Sequence, residues 1–574
     1  MILKALYDYY HRCGDLPHKG MELKEIGFLI VINKNGDFLR FDDRRCDDGK
    51  HAQKFLVKKH VGRSSALSAN YLYDNCSYVF GYSDSGDSLA QYQTFKNKIK
   101  SLFETHPSNP DIIAVNKFYQ HDQPVVLRLM QADPLWPVIV RSLNKKYAIF
   151  SFLIEGDTKI VAEKTELMDS EEEKDVGRQI CIVSGQRCSP VKTTTATMIP
   201  GSKATAKLVS FQVSSGYDSY GKSQGGNAPI SEDAEFAYTT ALNHLLEPGS
   251  RNKFKIGTRT FIFWSSKENE TCHIAEESIF SLFGFNEQKD DPNKYIEQVR
   301  KVFKSIYSGE LRTNSDEVFY ILGLAPNVAR IAVVYWAEIP LRKFAETICQ
   351  HFDDMEVVDA RTDKKTYMDL HSLISAVSLE GKELNVAPNL ADSVVKSIFE
   401  GSPYPQTLFS SCIRRIRAES GKKDKNPVYI TRAAILKAYL NRLNDSEQKI
   451  KVMLDKENTN HGYLCGRLFA VLDKIQEEAN NQHSIRERYM NSASSTPAAV
   501  FSTILNLSNH HLEKLEKEGR RVYFEKLKQE IISKIDAGGF HSQLDLQDQG
   551  RFFIGFYHQR QDFFVKNDEN NNGQ

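Results

Sequence analysis

Nine consecutive residues, Ser219-Tyr-Gly-Lys-Ser-Gln-Gly-Gly-Asn227, set three glycines among two hydroxyls, a phenol, an amine and two carboxamides. Glycine lets a backbone come close to a ligand, while the donors and acceptors beside it read a ligand's edge. Such a segment must be held by what flanks it. The apolar run around Lys207-Leu-Val-Ser-Phe211 reads as a strand leading in, and Ser231-Glu-Asp233 reads as the N-cap and first turn of a helix leading out.

Gly216 to Ser223 also fits the G-x-x-x-x-G-K-[ST] pattern of a phosphate-cradling loop. That chemistry requires a helix to start at the Lys-Ser pair, so that first-turn amides and the helix dipole meet the phosphates. Here Lys222-Ser223 runs into Gln-Gly-Gly-Asn-Ala-Pro229, which cannot be a first helical turn, and Pro229 biases Ala228 away from helix. A magnesium-binding Asp closing an apolar strand is missing too, since Ile331 to Glu338 ends in Glu and lies far downstream. A P-loop ATPase is therefore the alternative, not the preferred reading.

A metal-dependent nuclease is the other enzymatic alternative, and its ligands are poorly supplied. Cys181 and Cys188 have no second pair or nearby His, and His121-Asp122, a dinucleotide used by phosphohydrolases, is followed by Gln123-Pro124 in what reads as a loop. No metal, no cofactor and no catalytic residue is expected. Nine scattered cysteines without framework spacing favour a reducing, cytoplasmic setting; no run of eighteen apolar residues occurs, and neither a signal peptide nor a spanning helix is expected. With 41% hydrophobic and 26% charged residues the 574-residue chain is an ordinary globular one, long enough for several cores. A net charge of +1 excludes a polyelectrolyte-like nucleic-acid binder, so contact with nucleic acid must come from local clusters.

Two clusters stand out. Lys58-Lys-His-Val-Gly-Arg63 is a basic loop leading to Tyr71-Leu-Tyr-Asp-Asn75, and residues 403–459 carry twelve Lys or Arg against six Asp or Glu, with Arg414, Arg415, Arg417, Lys422, Lys423 and Lys425 bunched together. Each is a solvated surface or a phosphate track. The elements around them are predicted as follows. A helix presents Leu3, Leu6, Tyr7 and Tyr10; strands Gly27–Val31 and Phe38–Phe41 join across Asn33-Lys-Asn-Gly36; a helix covers Ser88–Phe103; strands cover Tyr147–Ile154, Cys181–Ser184, Thr260–Trp264, Val318–Leu322 and Arg330–Trp336. An acidic helix or linker is expected over Glu163–Asp175, and helices over Glu232–Leu246 and Tyr295–Tyr307. After about Gly381 only helices are predicted, at 389–399, 405–417, 431–443, 464–479, 497–507 and 511–535. The fold class is α+β: a mixed α/β region over 1–380, with a break near 155–180, followed by a helical bundle over 381–574.

Ordered blocks run along almost the whole chain: Tyr71 to Asn75, Cys181-Ile-Val-Ser-Gly185, Leu208 to Phe211 leading to Ser219 to Gln224, Asn227-Ala-Pro-Ile-Ser231, Phe236 to Asn243, Tyr320 to Pro326, Thr431 to Ala438, Gly466-Arg-Leu-Phe-Ala470 and Gly555-Phe-Tyr-His-Gln559. In these the chain resembles the large subunit of the type I-C CRISPR surveillance complex, Cascade. The resemblance implies a non-catalytic subunit that recognises the protospacer-adjacent motif on double-stranded DNA, promotes unwinding and R-loop formation, holds the displaced strand and helps recruit a helicase-nuclease. It implies guide RNA-containing Cascade subunits and small-subunit copies as partners. On this reading Ser219, Tyr220, Lys222, Gln224 and Asn227 contact the motif, by amide and amine donors to base edges and by a stacking or wedging ring. Arg63, Asn75, Arg414, Arg415, Arg417 and Lys422 are the possible backbone contacts. The resemblance also implies an internal translation start yielding a helical small subunit from the C-terminal region, for which Met453 is the candidate.

Overall fold

The computed structural model describes residues 1–564 apart from 62–66, 84–85, 87, 165–178, 198, 213–217, 284–291, 314–315, 361–367, 382–388, 423–425, 444–448 and 481–483. The chain divides into two compact units, one of Cys13–Val191 with Gly225–Thr240, the other of Met1–Arg12, Lys192–Gln224 and Ala241–Gln574.

The smaller unit is built on a four-stranded mixed sheet in the order Phe38–Asp43, Phe28–Ile32, Ile149–Ile154, Tyr73–Asn75. Phe28–Ile32 pairs antiparallel with Phe38–Asp43 and parallel with Ile149–Ile154. All five residues of Phe28–Ile32 are buried, as an apolar run covered on both faces requires. The alternation expected across Tyr147–Ile154 is absent for the same reason: Phe150 to Ile154 are buried on both sides. The Asn33 to Gly36 turn forms as predicted, with the Asn33 side-chain oxygen accepting from the Asn35 and Asp37 amides at 2.9 and 3.0 Å and Gly36 at φ +83°. The helix expected over Ser88–Phe103 spans Leu89–Thr105. Asp122 is the N-cap residue of a helix, Gln123–Gln131, not part of a loop, and His121 lies 3.5 Å from Asp37.

The larger unit holds an antiparallel meander in the order Arg330–Pro340, Val318–Asn327, Arg259–Ser265, Lys253–Ile256. Phe261, Phe263, Phe319, Ile321, Tyr335 and Ala337 alternate onto one face and join the apolar core of the helices. Stacked rings continue that core, Phe319 on Phe344 at 4.4 Å and Phe344 beside Phe399 at 5.5 Å. The compact unit therefore extends back across residue 381: the helices after it share one core with the sheet.

Most predicted helices form, at Leu390–Glu400, Gln406–Glu419, Ile430–Leu443, His461–Asn480 and Pro497–Glu513. The expected 511–535 helix is instead the end of Pro497–Glu513 and a separate helix, Glu518–Ile532. Among the described residues after 381, two helices were not anticipated, Ser484–Ala493 and Leu546–Asp562. The last of these crosses His461–Asn480 backbone to backbone. A methyl group at Gly466 would sit 1.9 Å from the Phe552 carbonyl oxygen, and one at Gly555 would sit 2.2 Å from that of Tyr463. Only glycine fits on either side of such a crossing. Buried polar groups fix its register: Arg467 donates to Gln559 at 3.1 Å and to Glu530 at 2.8 Å, and Arg560 pairs with Asp473 at 2.8 Å.

Candidate nucleic-acid interface

Two of the sequence expectations about the loop's flanks resolve differently. Lys207–Phe211 is not a strand; Lys207 makes one parallel bridge with Arg330 and the chain then bends away. Gly216 and Tyr217, the start of the P-loop pattern, lie outside the described residues, as do the acidic 165–175 segment and Arg63. The outgoing side matches its prediction: the helix Glu232–Leu246 starts after Ser231, whose hydroxyl accepts from the Ala234 amide at 3.1 Å.

That outgoing side is firmly held within the smaller unit. The Ile182 amide donates to the Pro229 carbonyl at 2.9 Å, the Val191 amide to the Ile230 carbonyl at 3.0 Å, and the Ser231 amide to Cys181 Sγ at 3.3 Å. Cys181–Ser184, read as a strand, is a turn following the short strand Gln179–Ile180, and its shape is what points the sulfur at Ser231. Burial pushes the Cys181 thiol up, but hydrogen bonds from Ser184 and Ser231 more than offset it and bring it down to about 7. The blocks Cys181 to Gly185 and Asn227 to Ser231, far apart in sequence, thus form one anchor.

In the larger unit, Ser219 to Lys222 make a tight reverse turn. The Lys222 amide donates to the Ser219 carbonyl at 3.0 Å, and both central residues have positive φ, Tyr220 at +55° and Gly221 at +72°. That pair of signs marks the type I′ turn, the tip of a two-residue hairpin. Gly221 adopts it freely. For a bulky residue such as Tyr220 it costs on the order of 1 kcal/mol. Gln224 is also at positive φ, +46°, with its amide bound to Asp218 Oδ1 at 2.8 Å. The strain lifts the phenol clear of the protein: Tyr220 is 94% exposed, against 65% for Val328, the next most exposed large apolar side chain among the described residues. Lys222 is exposed and makes no ion pair among the described residues. Asn227, at the end of the 3-10 turn Gln224–Asn227, is exposed as well. The positive φ at Tyr220 left no mark in the sequence, because tyrosine does not favour it.

This geometry is not a phosphate cradle. The residues after Lys222-Ser223 form a single 3-10 turn, and the α-helix starts only at Glu232, so no run of first-turn amides converges beside the lysine. Among the described residues no cluster of three or more His, Cys, Asp or Glu side chains could hold a metal, and no helix is long and apolar enough to cross a membrane.

The predicted backbone contacts separate. Arg414 and Lys422 are exposed, with Arg414 donating to Ser411 Oγ at 3.2 Å. Arg415 is paired with Glu419, which Arg432 also binds at 2.7 Å. Arg417 is half-buried, desolvation pulls its guanidinium down, and it reaches Ser494 at 3.5 Å. Asn75 caps the short helix Cys76–Val79, its side-chain oxygen accepting from Ser77 and Tyr78. Met453 is exposed in the segment between the helices Ile430–Leu443 and His461–Asn480, and both partners of the glycine crossing lie after it.

A search among curated proteins finds no match. The family model described as CRISPR-associated protein (Cas_Csd1) matches residues 6–564, which takes in the Ser219–Asn227 loop, its Cys181 anchor and the glycine crossing, and the chain belongs to that family of CRISPR-associated proteins.

Proposed function

We propose that this CRISPR-associated protein is the large, non-catalytic subunit of a type I-C surveillance complex, and that the Ser219–Asn227 loop reads the protospacer-adjacent motif. The observation that carries this is the strained, exposed Tyr220-Gly221 tip beside the amine of Lys222, which makes no ion pair among the described residues. An exposed ring on a narrow turn suits insertion at a base step, and Lys222 and Asn227 suit acceptors on base edges or phosphates. In RNA-guided recognition such contacts nucleate the first base pairs with the guide, after which strand exchange is nearly balanced. A few contacts at the motif then decide whether an R-loop forms. The same subunit holds the displaced strand and offers a surface to the helicase-nuclease, and a second product started at Met453 supplies the small subunit.

Replacing Lys222 and Asn227 by Ala in the assembled complex should weaken capture of motif-bearing duplex by roughly 30-fold or more, at about 1–3 kcal/mol for each of the two base contacts. Single-stranded target, which pairs with the guide without opening, should bind as before. Equal losses on both substrates would contradict the assignment. A C-terminal tag should reveal a short product that disappears in Met453→Leu; its absence from the wild type would remove the internal start. The ATPase alternative predicts saturable magnesium-ATP binding lost in Lys222→Ala.

A further inference from the structure

On the face of the larger unit's meander opposite the shared core, the helix Ile2–Arg12 and the strands Arg259–Ser265 and Val318–Asn327 enclose a cavity of about 350 Å³. Its lining includes Tyr9, Arg12, Trp264, Lys267, Asp316 and Tyr320. Three aromatic rings meet there, Trp264 lying 6.4 Å from Tyr9 and 5.4 Å from Tyr320. Tyr320 in turn stacks on the half-buried Trp336 at 5.6 Å with 13° between the planes.

The polar groups are unevenly satisfied. Trp264 is almost fully buried, yet among the described residues its Nε1–H has no acceptor. A buried donor without a partner is uncommon and calls for one. The two carboxylates of the lining already have lysine partners, Asp316 with Lys267 at 3.0 Å and Asp8 with Lys4. Arg12 lies 4.9 Å over the Tyr9 ring and makes no ion pair among the described residues. The cavity therefore offers an aromatic wall in which the half-buried Tyr320 is the most accessible ring, one unsatisfied donor and, among the described residues, one cation without an ion pair, in a volume of the order small-molecule sites use. A base-paired duplex end is too large for it, and an aliphatic side chain would leave both the donor and the cation unanswered.

We propose that this cavity takes a single unpaired nucleotide. The base packs among Tyr9, Trp264 and Tyr320, with a ring carbonyl or nitrogen accepting from Trp264 Nε1, and the adjoining phosphate meets Arg12. The reading is independent of how the Ser219–Asn227 loop is used, because it concerns a strand already single.

The test uses the full chain and labelled ten-nucleotide strands of deoxythymidine, of uridine, and of abasic deoxyribose, with no duplex and no motif. Binding is read by anisotropy and by quenching of tryptophan emission, to which Trp264 and Trp336 contribute two of the chain's three indoles. A base-bearing strand should bind about tenfold more tightly than the abasic strand, in line with the worth of one stacked base. Quenching should be lost in Trp264→Phe, and affinity should fall several-fold in Arg12→Gln, a half-exposed position that leaves the fold intact. A preference for deoxythymidine over uridine points to the displaced DNA strand as the source of the base, and the reverse to guide RNA. Equal binding of abasic and base-bearing strands, or unchanged affinity in Arg12→Gln together with unchanged quenching in a folded Trp264→Phe, would overturn the proposal.

Discussion

The Tyr220-Gly221 tip and the crossing of His461–Asn480 with Leu546–Asp562 both depend on glycine, for opposite reasons. At Gly221 a methyl group would meet nothing within 4 Å, but φ is +72°; at Gly466 a methyl group would lie 1.9 Å from a backbone oxygen. One glycine supplies a conformation and the other supplies room. The loop stores strain in an exposed turn where few contacts depend on it, whereas the crossing removes every freedom from two buried helices. On the proposed reading, binding energy and folding energy are kept in different parts of the chain, and changes at the two places should be separable.

The largest effect is expected at the crossing. Gly466→Ala should destabilise the larger unit by about 3 kcal/mol or more, because the displaced neighbour is backbone and cannot rotate aside. Thermal unfolding of the purified chain measures it, and a wild-type midpoint would show that the helices can slide apart. Gly221→Ala should cost about 1 kcal/mol locally, and Gly221→Asn much less, since asparagine tolerates positive φ. Both should leave the unfolding midpoint of the chain nearly unchanged while Gly221→Ala weakens duplex capture.

A smaller effect separates the arginines of the helix Gln406–Glu419. Arg415→Gln removes a partner of Glu419 and should lower stability by on the order of 1–2 kcal/mol without altering the salt dependence of DNA binding. Arg414→Gln should do the reverse, lowering the slope of log affinity against log salt by about 1 if it holds a phosphate. An unchanged slope would take Arg414 off the DNA path.

This contrast also explains what was legible beforehand. The Asn33 to Gly36 hairpin and three of the meander's four strands, all but Lys253–Ile256, follow from turn chemistry and apolar runs, which are local. The helix Leu546–Asp562 escaped because Gly550 and Gly555 weaken its propensity and because His558, Gln559 and Arg560 look like surface residues. They are buried, and partners far along the chain satisfy them, Tyr463 for His558, Arg467 for Gln559 and Asp473 for Arg560. The bunched arginines show the same limit: charge counted along a sequence does not reveal that Arg415 is already paired and Arg417 half-buried. For the loop, residue types pointed to a segment that is exposed, but Tyr220's positive φ and the Cys181 anchor depend on the folded chain.

The central claim is that the Tyr220 tip touches the double helix where opening begins. A photoreactive residue in place of Tyr220, in the assembled complex with motif-bearing duplex labelled at each position, tests it directly. Crosslinks should fall on the motif or the base step beside it and vanish when the motif is scrambled. Crosslinks that ignore the motif, or that land only on protein or guide RNA, would contradict the account.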